Sequence, residues 1–267
     1  MLTLAPALDL PPTVAGVTIP VHTIFEIAAF AVGFRYFLRL RARQGDTIAE
    51  TPRLLIVIAA SIGALFGARL LGLLENPWVL RGDDLMALIA SKTIVGGLLG
   101  GLLCVELVKR RLGVTRSSGD LMVRPILLGM ILGRVGCFLS GITDGTHGLP
   151  TTFITGVDLG DGIPRHPTAL YEIAGLISLW WAIARLEAKV VLADGARFKI
   201  FLASYLAFRL GVDGLKPRVE LVFGLSAIQL ACLLGLAYYR RIFTSPTREL
   251  LAPRPWPTAT TPTTTSR

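Results

Sequence analysis

Long apolar runs broken by clusters of arginine constrain this chain more than any other feature. Seven runs can be read, over 21–38, 53–74, 85–107, 121–141, 168–186, 198–215 and 220–239. A run of this length satisfies its own backbone hydrogen bonds only as a helix once it leaves water, so repeated runs predict an all-α, polytopic membrane protein. Only 17% of residues are charged and the mean hydropathy is +0.63, well away from soluble domains. The net charge of +9 could suggest nucleic acid, but most basic residues flank apolar runs instead of forming a soluble basic face. Nucleic acid is therefore set aside as a partner.

The arginine clusters set an orientation. Arg35, Arg39, Arg41 and Arg43 follow the first run, Lys109, Arg110, Arg111 and Arg116 the third, Arg185, Lys189, Arg197 and Lys199 the fifth, and Arg240 and Arg241 the seventh. With seven spans they fall on one side, which the positive-inside rule makes cytoplasmic. The N-terminus is then outside and the C-terminus cytoplasmic. The first twenty residues lack a positive n-region, so the first helix is expected to act as an uncleaved signal. The membrane domain is expected over 1–243, and the Pro- and Thr-rich segment 244–267 is expected to be disordered.

One charge lies deep in a run. Arg134 sits within Gly133-Arg-Val-Gly-Cys-Phe-Leu-Ser-Gly141, at least six residues from either end of its span. A central arginine costs about 2.5–3.5 kcal/mol to insert, so it should face protein, water or an anion. Arg69, Arg165 and Arg209 fall near the outer side by the same topology. Four guanidiniums converging on one anion would suit a phosphate, which the planar fork binds through two parallel bonds. Against this stand local pairings: Asp213 lies four residues after Arg209, and Arg69 is close enough to a helix end to snorkel.

Other candidates are weaker. Gly96/Gly100 and Gly97/Gly101 form overlapping GxxxG pairs, which favour helix packing, while Lys92 and Thr93 above them could line an opening. The histidines His22, His147 and His166 have no metal-ligand spacing, so neither metal nor other cofactor is expected. His166 is a candidate general base. Cys104, Cys137 and Cys232 fall in apolar runs, and Cys137 is expected to pack, without acting as a nucleophile.

The Gly133–Gly141 stretch resembles the signature of the prolipoprotein diacylglyceryl transferases, seven-span enzymes of the bacterial inner membrane. So do 94–100 (IVGGLLG), 164–172 (PRHPTALYE) and 224–229 (GLSAIQ), which occur in family order. That resemblance implies transfer of the diacylglyceryl group of phosphatidylglycerol to the lipobox cysteine of a preprolipoprotein, with glycerol phosphate leaving. It implies catalytic roles for Arg134, Arg209 and His166. Substrate contacts would fall to Arg69, Arg165, Gly96, Gly97, Gly133, Gly136, Tyr171 and Glu172. The chain departs from the family pattern at Val95, where best-known members have histidine, at Cys137, where they have asparagine, and at Ile142, where they have an acid. Two other readings remain open: head-group transfer to a different acceptor, and a phospholipid-binding or transport protein without catalysis.

Overall fold

The computed structural model describes residues 2–3, 13–14, 17–18, 20–81 and 91–252. Seven longer helices dominate them: α1 Val21–Gln44, α2 Glu50–Glu75, α3 Ile94–Leu112, α4 Val123–Leu139, α5 Thr168–Lys189, α6 Ala196–Asp213 and α7 Ala227–Tyr238. Two short helices, α8 Arg240–Thr244 and α9 Pro246–Leu250, follow. The helices α1, α2 and α5, and the span Asp120–Leu139 that contains α4, are long and apolar enough to cross a membrane. The third run was expected to begin at 85, but the Thr93 hydroxyl accepts from the Gly96 amide at 3.1 Å and caps α3 there. Part of that expected span, 82–90, lies outside the described residues.

The expected seventh run also begins late. Residues Val222 and Leu225 close a tight turn, and a reciprocal capping box between Ser226 and Gln229 starts α7. Of the segment 244–267, expected to be disordered, the structure describes residues as far as 252. Leu251 bridges Leu192, and the Ala252 amide donates to the Val191 carbonyl. Residues 253–267, where the rest of that expectation falls, are outside the described part.

Polarity in the bundle runs opposite to that of a soluble protein. Phe30, Phe66, Leu70 and Leu234 are each at least 63% exposed, while Arg134, Glu172, Arg209 and Asp213 are buried. Outward apolar faces on several helices are what a lipid-facing bundle presents. Helix α6 is the most enclosed, with Phe201, Leu202, Tyr205 and Leu206 at its centre, packed with Val123, Leu127 and Leu176 from its neighbours. Arg209 and Asp213, in its last turns, therefore point into protein.

Glycine sets the closest approach, between antiparallel α2 and α3. A Cβ on Gly67 would stand 2.3 Å from the Gly96 carbonyl oxygen, and one on Gly96 would stand 2.2 Å from that of Gly67. Neither helix can carry a side chain there, so Gly96 serves the packing of α2 on α3. Gly97 lies against Ala64 and Ala68 in the same seam.

The connections α1–α2, α3–α4 and α5–α6 meet at one end of the bundle. Arg53 Nη1 donates to the Ser118 carbonyl at 2.9 Å, and the Ser117 amide donates to Asp194 at 2.9 Å. The long loop 140–167, the turn 214–226 and the start of α1 lie at the other end. There β1 Leu2–Thr3 pairs with β2 Val157–Asp158, which pairs with β3 Pro164–Arg165.

Candidate functional site

Glu172, in the first turn and a half of α5, has no exposed surface and gathers three cations. Arg134 Nε from α4 lies 2.7 Å from its Oε2. Arg209 Nη1 from α6 donates to Oε1 at 2.8 Å, and Lys216 Nζ reaches the same oxygen at 2.6 Å. The Arg134 contact is an ion pair without a linear hydrogen bond, since the Nε proton is not aligned on the oxygen. Arg209 also spans to Asp213 Oδ1 at 3.1 Å, the intrahelical pair that the spacing anticipates. Asp213 Oδ2 accepts from the Ser226 hydroxyl at 2.7 Å, which ties α6 to the start of α7. The last residue of α2, Glu75, accepts from the Ile228 amide at 3.1 Å and is spent on the N-terminus of α7.

Three cations thus face two carboxylates in direct contact. Burying that many charges is tolerable only because each is paired; removing one partner would leave an uncompensated charge. Beside this cluster three buried donors lack a hydrogen-bond partner among the described residues: Arg134 Nε, Arg209 Nε and the Tyr205 hydroxyl. A surplus positive charge with unmet N–H and O–H groups is a setting that favours an added anion.

These contacts revise several expectations. Glu172 spends its carboxylate on three cations and so positions them. Lys216 carried no motif and was missed, its only sequence signal being a lysine wedged between Leu215 and Pro217. The four arginines do not converge. Arg165 is held by Asp161 through Nε and Nη2, both at 2.8 Å, and approaches the Gly148 carbonyl at 3.5 Å. Arg69, half-buried on α2, has a buried Nη1 with no hydrogen-bond partner among the described residues.

A catalytic His166 finds no support in its contacts. Its Nδ1 meets the Tyr171 hydroxyl at 3.3 Å, that hydroxyl also meets Thr155 at 2.5 Å, and the His166 amide donates to the Leu149 carbonyl. His166 and Tyr171 together fasten the long loop to α5. Gly136 is a packing residue as well: a Cβ there would stand 2.6 Å from Phe25 Cβ on α1. Gly133, by contrast, has nothing among the described residues within 4 Å of where a Cβ would stand.

The expectation that Cys137 only packs is too narrow. Arg134 Nη1 donates to its sulfur at 3.6 Å, and His22 Nδ1 lies 3.7 Å from the same atom. A cavity of about 10 Å³, roughly one water, adjoins it under Thr146, His147 and Thr168.

Comparison with known proteins bears on this arrangement. The family model described as Prolipoprotein diacylglyceryl transferase matches residues 12–242. The phosphatidylglycerol–prolipoprotein diacylglyceryl transferase of Dehalococcoides mccartyi is 28% identical over 217 residues, covering 75% of this chain and 78% of its own length. The enzyme of that name from Bordetella parapertussis is 30% identical over 188 residues, covering 66% of this chain and 70% of its own. That from Bacillus cereus is 29% identical over 225 residues, covering 77% and 81%.

Proposed function

This chain belongs to the prolipoprotein diacylglyceryl transferase family, and we propose on that basis that it moves the diacylglyceryl group of phosphatidylglycerol onto the lipobox cysteine of a preprolipoprotein. The observation that carries this reading is the buried Arg134–Glu172–Arg209–Lys216 cluster, with cations in excess and donors unmet. In the reaction, the acceptor thiolate attacks the glyceryl carbon next to the phosphate. A C–S bond forms, the C–O bond breaks, and its electron pair leaves on the phosphate oxygen of glycerol phosphate. Charge grows on that oxygen, where fixed guanidiniums stabilise it most.

Arg134 and Arg209 are assigned to the departing phosphate, and Glu172 and Asp213 to holding them in place. Arg69, with its unmatched Nη1, is assigned to the phospholipid head group. The loop carrying Arg165 and His166, with Tyr171 from the start of α5, is assigned to the acceptor peptide, which must reach the face beside Gly133. Seven spans, an outside N-terminus and a multi-pass place in the bacterial plasma membrane complete the reading. It is supported by the arginine clusters and by the meeting of three connections at one end of the bundle.

The test is transfer from labelled phosphatidylglycerol to a synthetic lipobox peptide in proteoliposomes. Thioether-linked lipid on the peptide cysteine, with release of glycerol phosphate, is the expected result. Phospholipid binding without transfer to this peptide would turn the reading toward another acceptor or a non-catalytic role.

A further inference from the structure

Thiol transfer needs a base, because the thiolate and not the thiol is the nucleophile. Val95, on α3, cannot take a proton and is buried at 1% exposure. The arginines and the lysine of the buried cluster are cations, and Glu172 is enclosed by them. His166 is occupied by the long loop. His147 lines the small cavity beside Cys137, and the imidazole that shares the Cys137 sulfur with Arg134 is His22, on a helix that contributes nothing to the Glu172 cluster.

His22 lies in the first turn of α1, which packs antiparallel on α4 because Gly136 has no side chain. This approach brings its Nδ1 to 3.7 Å from Cys137 Sγ, the sulfur that also takes Arg134 Nη1 at 3.6 Å. Its other nitrogen, Nε2, faces Glu26 one turn later, with Oε2 at 3.9 Å. Glu26 is in turn gripped by Lys92, whose Nζ lies 2.5 Å from both carboxylate oxygens. A carboxylate beside Nε2 favours the proton there and leaves the Nδ1 lone pair turned inward. The ring is 27% exposed, so a substrate group can reach it.

We propose that His22, oriented by Glu26, takes the proton from the acceptor thiol in this enzyme. The assignment rests on the transferase reading above. Arg134 and His22 both touch the Cys137 sulfur, so the base and the phosphate-stabilising cation flank one point. An entering thiol displaces the long Cys137 contact, gives its proton to Nδ1, and attacks as the thiolate. The C–S bond forms as the C–O bond to phosphate breaks, and the imidazolium later returns its proton to solvent or to the released phosphate. Glu26 stabilises the imidazolium, while Lys92 holds Glu26 in place.

Because His22 faces Glu26 on its own helix, Lys92 from the segment before α3, and Cys137 and Arg134 from α4, its removal should change the pH profile as well as the rate. The experiment compares wild type, His22→Gln and Glu26→Gln in proteoliposomes across pH, with binding of labelled phosphatidylglycerol as a control for folding. The expected result is a loss of about 10²-fold or more in turnover for His22→Gln. Binding should be retained, the rate should climb steeply toward the pKa of the free thiol, and free imidazole should return part of it. Glu26→Gln should lose less. His22→Gln turnover within twofold of wild type would overturn the assignment alone, as would a loss equal at every pH and unmoved by imidazole. A wild type that transfers no lipid would overturn the underlying reading with it.

Discussion

Two buried arginines, Arg53 at one end of the bundle and Arg134 at the other, meet carboxylates in different ways. Arg53 is 4% exposed and saturated: Nε and Nη2 both donate to Asp46 at 2.6 Å, and Nη1 donates to the Ser118 carbonyl at 2.9 Å. Arg53 and Asp46 meet in a matched fork, with Arg41 Nε also donating to Asp46 Oδ2 at 3.1 Å, and a third Arg53 bond reaches a neighbouring loop. Arg134 shares Glu172 with two other cations, gives an unaligned contact to it, and lends Nη1 to a sulfur. In the first arrangement each guanidinium nitrogen already has an acceptor. The second keeps surplus charge and unmet donors inside a low-dielectric site, where an anion gains most. A buried arginine therefore signals function here only when its partners leave it unsatisfied.

The largest expected effect tests this contrast directly. Arg134→Lys keeps the charge and can still approach Glu172, but it loses the planar fork. Turnover of phosphatidylglycerol should fall about 10²–10³-fold, on the order of 3–4 kcal/mol in the barrier. The thermal midpoint in detergent should move little. Full turnover in this variant would remove Arg134 from the chemistry and make the two ends equivalent.

The converse change belongs to the saturated end. Asp46→Ala strands Arg53 without its carboxylate, and breaking a buried pair in this way costs about 3 kcal/mol or more. The thermal midpoint should drop, while turnover per folded molecule stays at the wild-type level. A large fall in turnover with no fall in the midpoint would mean that Arg53 and Asp46 serve the reaction.

The sequence carried part of this contrast. Arg134 could be singled out because a charge amid an apolar run is costly wherever it sits, and the Arg209–Asp213 pair because helical neighbours repeat at four residues. The Gly67–Gly96 seam could be half read, since small-xxx-small spacing marks a packing face without naming its partner. The rest depends on contacts across the chain. Lys216 reaches Glu172 over 44 residues and His22 reaches Cys137 over 115, and no local periodicity encodes either. Arg165 misled for the opposite reason: its partner Asp161 is near in sequence, but in a loop, where helical spacing rules give no warning. The late start of α7 reflects a strained turn, with Phe223 at φ 54°, which hydropathy alone reads as more helix.

The smallest expected effect concerns acid. Burial pushes the Asp46 carboxyl up, but the Arg53 hydrogen bonds, the Ile48 amide and the charges of Arg53 and Arg41 outweigh it and hold the group below the ordinary range. Its folded pKa is thus depressed relative to the unfolded chain. The stability it contributes is fully present above about pH 4, the ordinary aspartate value, and drains away as pH falls through the folded value. Wild-type protein in detergent should therefore show a falling thermal midpoint in that acid window. Asp46→Asn, which keeps the shape but cannot titrate, should start from a lower midpoint at neutral pH and fall less steeply on acidification. Equal acid slopes for the two proteins would show that the Arg53–Asp46 fork carries no charge-dependent stability. The contrast with Arg134 would then rest on geometry alone.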